Sequence, residues 1–136
     1  MDRVVIDTSM WIEAFRPDCD PSTAGTVKGL IRSGRVLLPG IVKAELLRGA
    51  KDLSEFDRLK DLLEGLTPLP IAESFWDDLA AFSFSLFRKG LTIPLVDTAI
   101  ALMCIQTRAR LLHRDRHFGL IAGASELKFH ASISSE

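Results

Sequence analysis

Short, wholly apolar runs and longer amphipathic stretches take turns along this chain. Arg3 to Ile6 reads as a short buried strand, because Val4-Val5-Ile6 contains no polar position. Thr8 to Phe15 opens on capping residues and reads as a helix. Arg16 to Pro21 is a loop, after which Ser22 is expected to cap a helix that runs to Ile31 and stops at Ser33-Gly34. Val36 to Leu38 is the second strand and Ile41 to Arg48 the next helix, with Gly49 as its terminator. Leu53, Phe56, Leu59 and Leu63 recur at helical spacing between charged positions. Leu66 to Ile71 carries two prolines and suits only a peripheral strand. Glu73 to Lys89 is a long helix with Phe75, Trp76, Leu79, Phe82 and Leu86 on its apolar side, and Leu95 to Arg108 follows as another. Arg110 to Leu112 is a fourth strand, Phe118 to Ala122 a short helix, and Leu127 to His130 a fifth strand. The tail Ser132 to Glu136 is polar and expected to be mobile.

Strands alternating with helices predict an α/β fold of three layers, a mainly parallel sheet of about five strands between helices. Residues 1–136 show no repeat, low-complexity linker or composition break, so one domain is expected. Hydrophobic residues make up 47% of the chain, which excludes a disordered protein. The N-terminus lacks the apolar core of a signal peptide, and no uncharged apolar run is long enough to cross a bilayer. Cys19 and Cys104 have no metal-ligand or redox spacing, and Cys104 lies in an apolar helix as a buried thiol. A reducing, cytoplasmic setting without membrane attachment follows as the expectation.

Four acids break this apolar patterning. Asp7 ends the first strand, Glu45 interrupts the helix after the second, Asp97 is the only charge between Lys89 and Arg108, and Asp115 follows the fourth strand. In a parallel α/β sheet each helix begins at the carboxyl edge of the strands, where ligand sites form. Asp7 and Asp115 reach that edge from strand ends, and Glu45 and Asp97 from early helix positions. The four converge if the first and fourth strands are neighbours. Clustered carboxylates without basic partners suit a hard divalent cation. Each acid also has a local explanation. Asp7 can cap the first helix, Asp97 can face a helix dipole, Glu45 can pair with Arg48, and Asp115 can cap a loop.

Charge does not oppose a polyanionic substrate. The chain carries 18 acidic and 17 basic residues, a formal net charge of −1, and the four candidates are among the acids. Arg48, Arg114 and Arg116 lie beside them in sequence and are the candidate substrate-binding cations.

Val5-Ile6-Asp7-Thr8-Ser9-Met10-Trp11-Ile12, Val42-Lys43-Ala44-Glu45-Leu46-Leu47-Arg48-Gly49, Pro94-Leu95-Val96-Asp97-Thr98-Ala99-Ile100-Ala101 and Leu111-Leu112-His113-Arg114-Asp115-Arg116-His117-Phe118 together resemble the four motifs of PIN-domain ribonucleases. The likeness is greatest to the VapC toxins of prokaryotic toxin–antitoxin pairs, and it covers nearly the whole chain in order. The resemblance implies a ribonuclease that hydrolyses RNA phosphodiester bonds with Mg²⁺ or Mn²⁺. Asp7, Glu45 and Asp97 match the three core acids, Asp115 the more variable fourth, and Ser9 the small polar residue that supports the site. His113 and His117 stand where relatives often carry Thr and an acid. The resemblance also implies a cognate antitoxin and a homodimer or hetero-oligomer with it. Phe84 falls off the stripe of its helix, which suits such a contact. Two other readings stay open. One is a phosphatase or phospho-acceptor using Asp7, although Asp7-Thr8-Ser9 lacks the second aspartate of the Asp-x-Asp pattern. The other is a non-catalytic binding module with the same fold.

Overall fold

The computed structural model describes residues 2–130. The polar tail from Ser132 lies outside the described residues. Strand β1 (Val4–Ile6) is buried at every position, as a strand needs to be at the centre of a parallel sheet covered on both faces. It leads into α1 (Thr8–Ala14), α2 (Pro21–Ser33), β2 (Val36–Leu38), α3 (Gly40–Arg48), α4 (Leu53–Glu64), β3 (Thr67–Pro68), α5 (Phe75–Arg88), α6 (Leu95–Thr107), β4 (Arg110–Leu112) and α7 (Arg116–Gly123). The sheet runs β3-β2-β1-β4, and all three pairings are parallel. The first and fourth strands are therefore neighbours, with Val4 opposite Arg110 and Ile6 opposite Leu112. The backbone N–H of Asp7 extends this pairing by donating to the Leu112 carbonyl at 3.0 Å.

The helices pack in two groups, α1 with α2 and α3 and α3 with α4 in one, and α6 with α5 and α7 in the other. Helix α6 is apolar on all sides, and every residue from Thr98 to Cys104 is buried. A helix of that kind belongs in the core. Burial also pushes the Cys104 thiol well above its ordinary pKa, so it stays a protonated, apolar filler.

Several boundaries differ from the sequence expectation. The sheet has four strands, not about five. Leu127 to His130 makes a single parallel bridge, Phe129 to Leu111, beside β4. Its backbone is satisfied there without a ladder, since Leu111 donates to Lys128 and His130 donates to Leu111. Helix α2 is capped by Asp20 rather than Ser22, because Pro21 takes the first helical position and the Asp20 carboxylate accepts from the Thr23 N–H. On α4 only Leu63 is fully buried, Phe56 and Leu59 are half-buried, and Leu53 is 72% exposed, so the start of the expected stripe lies outside the core. Among the described residues no helix is long and apolar enough to cross a membrane.

Helix α6 ends on Arg108 at φ 59°, the one positive φ outside glycine among the described residues. A left-handed side-chain-bearing residue costs about 1–2 kcal/mol, against roughly 0.5–1 kcal/mol for the extra chain entropy that glycine loses. Arg108→Gly should therefore stabilise the fold by about 0.5–1 kcal/mol in urea unfolding. A lower unfolding midpoint in this variant would show that the Arg108 side chain contributes more than its backbone costs.

Candidate active site

The sheet order brings the four acids to one edge. Asp7 lies directly after β1 and Asp115 three residues after β4. Asp97 is in the first turn of α6, and Glu45 is in the second turn of α3. Electrostatic coupling records their proximity. Asp97 raises the pKa of Asp7, and Asp115 and Glu45 in turn raise that of Asp97.

Three of the local explanations hold, and none excludes a site. Asp7 does cap α1, accepting from the Ser9 N–H at 3.3 Å and from the Ser9 hydroxyl at 2.6 Å, both on Oδ2. Asp115 caps α7, accepting from the His117 N–H at 2.8 Å. Asp97 faces the N-terminus of α6. Glu45 makes a different contact from the Arg48 pair considered above, since it accepts from the Thr8 hydroxyl at 2.7 Å. Thr8, which the sequence marks only as a capping residue, thus holds one of the four acids. It follows Asp7 and so points to the same edge, but its partner lies 37 residues away.

The tightest group contains a histidine. Potential ligand atoms of Asp97, Asp115 and His117 all lie within 4.8 Å of one another. His117 Nδ1 is 3.0 Å from Asp97 Oδ2 and 3.3 Å from Asp115 Oδ1. His113 supports the turn below. Its Nδ1 accepts from the Asp115 N–H at 3.1 Å, and its ring packs on Phe118 and Phe129. Burial lowers the His113 pKa, which keeps the ring neutral and able to accept that bond.

The candidate cations divide. Arg114 donates to the Thr23 hydroxyl at 2.9 Å, which ties its guanidinium to α2. All three are exposed, and Arg48 and Arg116 make no such tie among the described residues. A groove of about 630 Å³, walled by Trp11, Phe15, Leu46, Leu59 and Leu62, is bordered by one of the four acids, Glu45. Trp11 is 2% exposed, and its indole N–H has no partner within the described residues. An Asp7 nucleophile is poorly served here, since the residue is only 6% exposed and Oδ2 already accepts two hydrogen bonds. The donor set fits a divalent ion, with carboxylates at one point, an imidazole beside them, and enough exposure at Asp97 and Asp115 for retained water.

The PIN domain family model matches residues 4–124. Ribonuclease VapC11 of Mycobacterium tuberculosis is 31% identical over 129 residues, which is 92% of this chain and 96% of that protein. A VapC ribonuclease of Mycobacterium bovis matches over the same span at the same identity. The fold resembles VapBC2 from Rickettsia felis bound to a promoter DNA fragment, with a TM-score of 0.75 at 21% identity over 93% of this chain and 96% of that one. VapBC-1 from nontypeable Haemophilus influenzae gives a TM-score of 0.73 at 21% identity over 97% and 98%.

Desolvation is the largest influence on both Asp7 and Asp97, and it raises both pKa values above the ordinary aspartate range. The folded state then binds a proton more readily than the unfolded one. Its stability falls as pH rises from the ordinary aspartate value through the raised one, and the loss persists at neutral pH. Asn caps a helix as well as Asp does. Asp7→Asn should therefore melt higher than the parent in EDTA at pH 7, with the gap closing as the pH drops into the aspartate range. A lower melting temperature at pH 7 would mean that the Asp7 charge is structurally required.

Proposed function

This chain belongs to the PIN-domain family, and from that premise we propose that it is the ribonuclease toxin of a toxin–antitoxin pair. The convergence of Asp7, Glu45, Asp97 and Asp115 on the edge formed by β1 and β4 carries the reading. Family membership supports an RNA phosphodiester as the substrate, and the acidic notch supports a divalent-metal cofactor, Mg²⁺ or Mn²⁺. We take residues 1–136 as one domain acting in the cytoplasm.

Asp7, Glu45, Asp97 and Asp115 would hold the cofactor between them. When bound, such an ion supplies an activated water and a counter-charge for the phosphate. The chain's own residues set the geometry. Ser9 fixes the Asp7 carboxylate, Thr8 fixes Glu45, and the α7 cap fixes Asp115. Exposed Arg48 and Arg116 are the cations for the phosphate backbone. Arg114 contributes through its tie to Thr23 and only then to substrate.

The antitoxin is the proposed occupant of the groove beside Glu45, with apolar anchors against Trp11 and Phe15. Trp76, Phe84 and Phe87 are each more than 60% exposed and share one side of α5. That side is the proposed contact with a second copy.

Asp97→Asn keeps the side-chain shape and removes one charge. Incubated with mixed cellular RNA and Mg²⁺ or Mn²⁺, it should lose cleavage by about 100-fold or more while keeping its circular dichroism, as loss of a site that fixes a metal implies. Asp115→Asn should be milder, because its side chain is more exposed than that of Asp97 and water can take its place. Undiminished cleavage by Asp97→Asn would remove that residue from the site. In cells, the parent chain alone should arrest growth, and Asp97→Asn should not. A harmless parent chain that still cleaves RNA in vitro would leave the nuclease and sink the toxin.

A further inference from the structure

The metal reading leaves one side chain of the notch without a role. His117 belongs to the first turn of α7, where its backbone N–H is held by Asp115 Oδ1 at 2.8 Å. Its ring lies across the notch. Nδ1 then lies 3.0 Å from Asp97 Oδ2 and 3.3 Å from Asp115 Oδ1. Octahedral ions with bonds of about 2.1 Å have adjacent ligand atoms about 3.0 Å apart. Both measured separations are close to that edge length.

We infer that His117 Nδ1 is a further ligand beside Asp97 and Asp115, and that this nitrogen makes the site prefer Mn²⁺ to Mg²⁺. The inference rests on the metal-dependent ribonuclease reading and deepens it. Imidazole is a borderline donor that transition-metal ions take more readily than Mg²⁺, which keeps oxygen ligands and water. The side chains of Asp97, Asp115 and His117 are 19%, 36% and 31% exposed, so water can complete the remaining positions. Coordination uses the Nδ1 lone pair, and the tautomer with its hydrogen on Nε2 is the one that binds. A purely structural role predicts a different arrangement, in which Nδ1 keeps its hydrogen and clamps the two carboxylates outside the coordination sphere.

Mn²⁺ added to the metal-free protein separates the two. Electron spin-echo modulation of bound Mn²⁺ should show a directly coordinated ¹⁴N in the parent chain and none in His117→Asp, which offers oxygen in place of nitrogen. Competition calorimetry should find the preference for Mn²⁺ over Mg²⁺ reduced about 10-fold in His117→Asp. His117→Ala should lose Mn²⁺ affinity by about 10-fold or more with an unchanged circular dichroism spectrum. Bound Mn²⁺ with an oxygen-only signature in the parent, or a ¹⁴N signal that persists in His117→Asp, would overturn the assignment and leave the ribonuclease reading standing. Failure of the parent to bind Mn²⁺ at all would overturn both.

Discussion

The parallel pairing of β1 with β4 is the constraint on which the rest of the structure depends. These strands are separated by most of the chain, and three residue pairs join them. The Asp7 N–H continues that ladder onto Leu112 and fixes where β1 ends. A slip of one residue would turn Val5 and Leu111 to the opposite faces and carry Asp7 away from the edge. Register is specified because the apolar run is only three residues long, so a slip in either direction draws Arg3 or Asp7 into the covered sheet. The position of the first acid is thus set by hydrophobic burial. The position of the fourth is set by the same pairing, three residues after β4 ends.

Bringing acids together opposes folding, and the fold meets that cost locally. Asp7 and Asp97 are both shifted toward the protonated form, with desolvation first among the causes. Each has a compensating contact. Ser9 donates twice to Asp7, and the His117 ring lies against Asp97. Glu45 takes the Thr8 hydroxyl. The Ser9 and Thr8 hydroxyls are neutral, whereas a lysine or arginine placed among the acids would compete with a cation for them. The four acids make no salt bridge to lysine or arginine among the described residues, and that pattern suits a site that must accept a positive ligand from solution.

Local signals were legible in the sequence and long-range ones were not. An unbroken Val-Val-Ile run before Asp7 announces a central strand, and the uncharged stretch around Asp97 announces a buried helix. Phe84 falls off the apolar stripe of α5 in sequence and is 64% exposed in the structure. By contrast, Glu45 has an arginine at i+3, and helical spacing alone favours that pair. The Thr8 hydroxyl that it accepts belongs to another helix. Leu127 to His130 has strand-like composition, yet only Phe129 finds a register partner. His113 is half-buried against Phe118 and Phe129, a contact across 16 residues that no periodicity reports. Asp20 and Ser22 both suit a helix cap, and the deciding feature is the preference of Pro21 for the first helical position.

Capping and catalysis are usually weighed against each other when an acid stands before a helix, and this fold shows why the contest is false. A cap occupies one lone pair of a carboxylate oxygen, leaving the rest of the group able to bind elsewhere. On Asp7 both Ser9 bonds fall on Oδ2. On Asp115 the cap bond falls on Oδ1, and the helix it starts delivers His117 to the notch. The cap therefore does two things at once. It satisfies an N–H that the helix cannot, and it removes rotamer freedom from a group that has to be in place before a ligand arrives. Glu45 extends the same economy to the neighbouring groove, since it borders that cavity and also faces the acids. A molecule seated in the groove meets one of the four carboxylates directly.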